Sequence, residues 1–100
     1  MNTERDALKR QYGALFASVS DALFKADPVG INFETNTDEY EPEAGTIIPR
    51  LRSAASAEDV QTIVHEEFCR WFDPVNVGPR EKYALVAAEI WALWCAFQRS

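Results

Sequence analysis

Between Asp27 and Glu43 this sequence has no lysine or arginine, although the same stretch holds six acids: Asp27, Glu34, Asp38, Glu39, Glu41 and Glu43. The other ten acids are matched by ten Lys and Arg, so the whole formal charge of −6 sits in these seventeen residues. A phosphate backbone would be repelled there, and nucleic acid is not an expected partner. Histidine occurs once, as His65, and cysteine twice, as Cys69 and Cys95. The paired short spacings of a structural zinc site are missing, and two reduced thiols are expected rather than a disulfide. There is no glycine-rich phosphate cradle and no serine-nucleophile elbow, so no cofactor or metal is expected from a motif. No apolar run reaches the ~20 residues that cross a bilayer, and MNTERDALKR lacks the apolar centre of a signal peptide. A cytoplasmic protein with no membrane partner is the expectation.

What the sequence does have is helical periodicity. Its densest apolar stretch is YALVAAEIWALWCAF, Tyr83 to Phe97, whose one charge is Glu89. Tyr83, Val86, Ala87, Ile90, Trp94 and Phe97 fall on one stripe at helical spacing. Ala84, Leu85, Ala88, Ala92, Cys95 and Ala96 make the other side small or apolar as well. A helix with that pattern is buried from more than one direction or pairs with another chain.

Three further helices are predicted. The first opens at Thr3, buries Leu8, Tyr12, Leu15, Phe16, Val19, Leu23 and Phe24, and stops at Asp27-Pro28. The second starts at Glu41-Pro42-Glu43 and turns Ala44, Ile47, Ile48 and Leu51 inward, with a kink or delayed start expected from Gly45 and Pro49. The third is capped by Ser56, followed by Glu58 and Asp59, and buries Val60, Ile63, Val64, Phe68, Trp71 and Phe72. Asp73-Pro74 is expected to stop it, and Gly78-Pro79 to begin the fourth helix. One hundred residues make one domain, 1–100. The fold expected is all-α: a compact four-helix bundle with a long acidic loop between helices one and two.

Candidate chemistry is thin. Glu67 lies at the edge of an apolar stripe and is expected to reach the rim or pair with Arg50 or Arg52, since charged residues are rarely buried unpaired. Glu89 is a candidate polar anchor of an interface. His65 and Cys69 are one helical turn apart, but nothing marks a third group to orient the imidazole. Asn32 to Glu43 threads poorly as a calcium loop, with Thr37 at the glycine position and Pro42 beside the last ligand.

Asp27-Pro28-Val29-Gly30-Ile31, then Asp38-Glu39-Tyr40 and Glu43-Ala44, then Phe68-Cys69-Arg70-Trp71-Phe72, resemble a family of small bacterial proteins of unknown function. That family carries an Asp-Pro-Ile/Val-Gly turn and an Asp-Glu-Tyr-x-x-Glu-Ala element. The resemblance implies a compact helical domain and carries no activity across. In this sequence Asp27, Pro28, Gly30 and Tyr40 are the expected anchors of the acidic loop, with Tyr40 docked on the core. The leading functional expectation is a non-enzymatic protein-binding or inhibitor module of the immunity or antitoxin type. It would present Glu34, Asp38, Glu39, Glu41 and Glu43 to a basic protein partner. The alternatives are a metal-dependent enzyme using Asp27, Asp38, Glu39, Glu43 and His65, and a homo-oligomer formed through the fourth helix.

Overall fold

The computed structural model describes residues 3–28 and 40–99, with side chains from Asp6 onward. All regular structure among these residues is helical: α1 (Thr3–Tyr12), α2 (Ala14–Ala26), α3 (Glu41–Ile47), α4 (Ala57–Trp71), α5 (Pro74–Val77) and α6 (Ala84–Arg99). Two 3-10 helices, Ile48–Ser53 and Arg80–Tyr83, join them. Among the described residues no helix is long and apolar enough to cross a membrane.

The apolar period that predicts one first helix runs unbroken, yet the helix is divided at Gly13. Its φ of 54° belongs to a region that glycine enters at little cost. The amide of Gly13 still donates to Lys9 O at 2.8 Å, so the chain turns without losing that bond. The buried stripe of Tyr12, Leu15, Phe16, Val19 and Leu23 therefore continues across the break. Pro49 has a comparable effect downstream. Lacking an amide hydrogen, it cannot continue the α3 ladder, and the chain tightens into a 3-10 turn that keeps Ala44, Ile47, Ile48 and Leu51 wholly buried.

Helix α4 begins at a reciprocal cap. Ser56 Oγ accepts from the Asp59 amide at 3.3 Å, and Asp59 Oδ2 accepts from the Ala55 amide at 2.8 Å. The helix ends at Trp71 with Phe72 as its C-cap, one residue before the expected stop. Asp73 instead starts α5, its Oδ1 accepting from the Val75 amide at 3.1 Å. The last α-helix begins at Ala84 rather than at Gly78-Pro79, because Arg80–Tyr83 takes the tighter 3-10 form first.

Helix α6 packs against α4 and α2, and its stripe of Tyr83, Val86, Ala87, Ile90 and Trp94 is buried in one core with theirs. The opposite side is not covered by any of the described residues. Ala84, Ala88, Glu89, Ala92 and Ala96 are exposed, and Leu85 is 87% exposed. On α4 the stripe is corrected at one position. Trp71 is 46% exposed and Glu67 is turned inward, at 2%. The indole N–H explains the first, because it donates to Thr46 Oγ1 at 3.0 Å on the rim.

Candidate functional site at the ends of the acidic segment

The sequence marks Asp27 to Glu43 as the feature that departs most from an ordinary helical domain, and the structure describes both ends of it. At the entry, α2 closes on Asp27, which takes left-handed backbone at φ 45° and ψ 57° while its amide donates to Leu23 O at 2.9 Å. Pro28 disfavours right-handed helical geometry in the residue before it, and Asp tolerates the left-handed region better than most side chains. At the exit, Tyr40 is wholly buried and caps α3, with the Ala44 amide donating to its carbonyl at 3.0 Å.

The two ends meet. The Tyr40 hydroxyl donates to Asp27 Oδ1 at 2.7 Å, a charge-assisted bond. The Tyr40 ring lies against Phe68 of α4 at 5.8 Å between centroids. Lys82, from the 3-10 helix before α6, donates through Nζ to the Pro28 carbonyl. Entry and exit are thus fixed to each other and to the core from three elements.

Gly30, Glu34, Asp38 and Glu39 lie outside the described residues, as do Val29 and Asn32 to Thr37. The other two acids expected to face a partner are placed differently from that expectation. Glu43 is buried, at 4% exposure, because Glu43 shares the inward side of α3 with Ala44 and Ile47. Glu41 is half-buried and pairs with Lys9 of α1 at 2.9 Å. Glu43 is therefore part of the base on which the segment stands, and Glu41 is already engaged by a lysine of the same chain.

The remaining candidates resolve into structural roles. Glu67 is held by Arg50, whose Nη1 donates to Oε2 at 2.8 Å while Nη2 donates to Glu66 Oε1 at 2.7 Å. Arg70 Nη1 stands 3.6 Å from the same Glu67 oxygen. The guanidinium of Arg50 is held further in its charged form by these bonds, Glu66 contributing most. His65 Nε2 is 3.0 Å from the Gly78 carbonyl, an oxygen that can only accept, so this nitrogen carries the proton. It cannot then act as a base toward Cys69 Sγ, which lies 3.9 Å away. Tyr83 donates to Val77 O at 2.6 Å; burial first, and the neighbouring Cys69 second, push its phenol up to about 12. Among the described residues no group of three or more His, Cys, Asp or Glu is arranged to hold a metal ion.

Lys9, Lys82 and Phe68 were not singled out as contributors to this region by sequence reasoning. Phe68 was legible only as core. Nothing near Lys82 in the sequence points to Pro28, fifty-four positions away. Compared with models of protein families, with curated proteins and with solved structures, the chain matches none.

Proposed function

We propose that this chain is a non-enzymatic protein-binding module, an inhibitor of the immunity or antitoxin type, that engages a basic partner through Glu34, Asp38 and Glu39. In this reading four helical segments, 3–26 with its turn at Gly13, 41–53, 57–71 and 84–99, form a bundle. The acidic segment stands on it as a long loop between the first two rods. The observation that carries the reading is the confinement of the entire net charge of −6 to Asp27–Glu43. The 2.7 Å bond from Tyr40 to Asp27 supports it, because a segment closed at its base loses less freedom on binding than an open one. A concentrated field of one sign raises the rate of capture more than it lowers the rate of escape.

The test is affinity capture with the wild type and with a Glu34→Lys, Asp38→Lys, Glu39→Lys variant, followed by association kinetics with the captured protein across salt concentrations. Loss of capture in the variant, and a wild-type association rate that falls steeply with salt, are expected. Equal capture by the two proteins, or a rate indifferent to salt, removes the proposal.

Self-association is the second reading, favoured by the uncovered side of α6, where Leu85 is 87% exposed and Ala88, Ala92 and Ala96 are exposed beside it. Sedimentation decides it: a monomer at high micromolar concentration leaves no dimer to explain.

A further inference from the structure

The groove between α2 and α6 carries a projection at one end and a hollow at the other. The two helices run in opposite directions: Ala22 and Ala26 border the start of α6 at Leu85 and Val86, whereas Ala14 and Ser18 border its end at Leu93 and Phe97. Leu85 is the projection, and with Trp71 and Val75 it makes up the large apolar side chains left exposed among the described residues. The hollow is an open pocket of about 250 Å³ lined by Ala14, Leu15, Ser18, Leu93, Ala96 and Phe97, five of them apolar. A cavity of about 150 Å³ already holds a benzene ring, so the pocket has room for a leucine side chain. Leu85 and the exposed Ala96 at the pocket's edge are three helical turns apart, on one face of α6 and about 16 Å from each other. Leu85 therefore cannot reach the pocket of its own chain. In a second copy turned end for end, it can.

We propose that this groove is the interface of a two-fold dimer in which Leu85 of each chain fills the pocket of the other. The pairing rests on the self-association reading above and supplies the contact and the orientation which that reading lacks. A two-fold interface uses the same patch on both partners, so a contact of residue i with residue j is always matched by one of j with i. A projection and a hollow on one helix face meet that condition with no other protein needed. The axis passes midway between Leu85 and Ala96, where the exposed face presents Ala88 and Ala92. Small side chains there let the two α6 helices approach to the short end of the usual 8–10 Å, which brings Leu85 to the pocket.

Charge opposes the contact only mildly. The excess of −6 lies in Asp27–Glu43, and the remainder of the chain is neutral. Glu89 is the one charged residue of α6 near the axis, and Lys25 and Lys82 border it in the groove of its own chain. Both sources of repulsion are screened by salt, so the dimer should tighten as salt rises, the reverse of capturing a basic partner.

The experiment is sedimentation of the full chain over a concentration series up to high micromolar, at low and high salt, with the protein itself as the only probe. The wild type should dimerise. Leu85→Glu and Ala96→Lys both change exposed positions, so each should keep the wild-type circular dichroism, and Leu85→Glu should weaken the dimer by about a hundredfold or more as two leucines lose their burial. Ala96→Lys should weaken it in the same direction. Combined in one chain, the two substitutions set opposite charges across each half of the interface and should recover about tenfold of the loss. Val75→Glu, at an equally exposed apolar residue on α5, should change nothing. A monomeric wild type removes both the pairing and the self-association reading. A dimer that survives Leu85→Glu, dissociates as readily with Val75→Glu, gains nothing from the combined variant or loosens as salt rises overturns the pairing and leaves that reading standing.

Discussion

Asp-Pro-Val occurs twice in this chain, at residues 27–29 and 73–75, and the two copies do opposite things. Asp27 closes a helix with left-handed backbone at φ 45°, whereas Asp73 opens one from extended backbone at φ −65° and ψ 130°. Pro28 is buried and Pro74 exposed. The difference lies in what approaches each aspartate. The Asp27 carboxylate receives the hydroxyl of Tyr40, thirteen residues on, while the Asp73 carboxylate receives the amide of Val75, two residues on. The corners nevertheless share one support. Tyr40 serves the first, Tyr83 holds the second by donating to Val77 O, and both rings rest on Phe68, at 5.8 and 5.5 Å. A dipeptide that punctuates helices therefore takes its direction from tertiary partners, here two phenols on one phenylalanine.

Removing the shared support should hurt both corners together. Phe68→Ala deletes a wholly buried ring against which both tyrosines pack, and should cost about 3–5 kcal/mol by denaturant unfolding. Hydrogen exchange should rise at the Asp27 and the Val77 amides alike. Faster exchange at one corner alone would mean that Phe68 does not join them.

The two aspartates should then separate in size. Asp27→Ala forfeits a charge-assisted acceptor and puts a residue ill-suited to left-handed backbone at the cap, for about 2–3 kcal/mol. Asp73→Ala loses a surface cap, for about 0.5–1 kcal/mol. Tyr40→Phe combined with Asp27→Ala should fall short of the summed single effects by about 1 kcal/mol or more. Equal costs at 27 and 73, or strict additivity of 27 with 40, would break the distinction drawn between the corners.

Periodicity and caps are local properties, and the local part of this fold could be read directly. Val60, Ile63, Val64 and Phe68 are buried as their spacing predicts, and Ser56 caps α4. Gly13 could not be read as a break, because the apolar stripe passes through it undisturbed and only its φ reveals the turn. Glu67 pairs with Arg50, seventeen residues away, as its place on an apolar stripe predicts, but Trp71 leaves that stripe for Thr46, twenty-five residues away, which periodicity does not show. The candidate site follows the same division. The composition of the acidic segment was visible at once, but which of its acids point outward was not. Lys9 meets Glu41 only once Gly13 has turned α1 back toward α3, a consequence of the break that periodicity hides.

The last contrast is between the two phenols. Tyr83→Phe removes one neutral hydrogen bond, to Val77 O, and should cost about 1 kcal/mol at neutral pH. Its signature is in the alkaline range. Burial pushes the Tyr83 phenol up to about 12, while the unfolded chain releases that proton near the ordinary tyrosine value of about 10. The folded protein therefore binds this proton more tightly than the unfolded chain. The stability that follows is complete below pH ~10 and is lost as pH rises through 10 to 12. Phenylalanine has no proton to lose, so the gap between wild type and Tyr83→Phe should narrow and then reverse across that interval in denaturant unfolding. Curves that stay parallel from pH 9 to 12, on the order of the interval the shift defines, would show that the second corner is held by the ring alone.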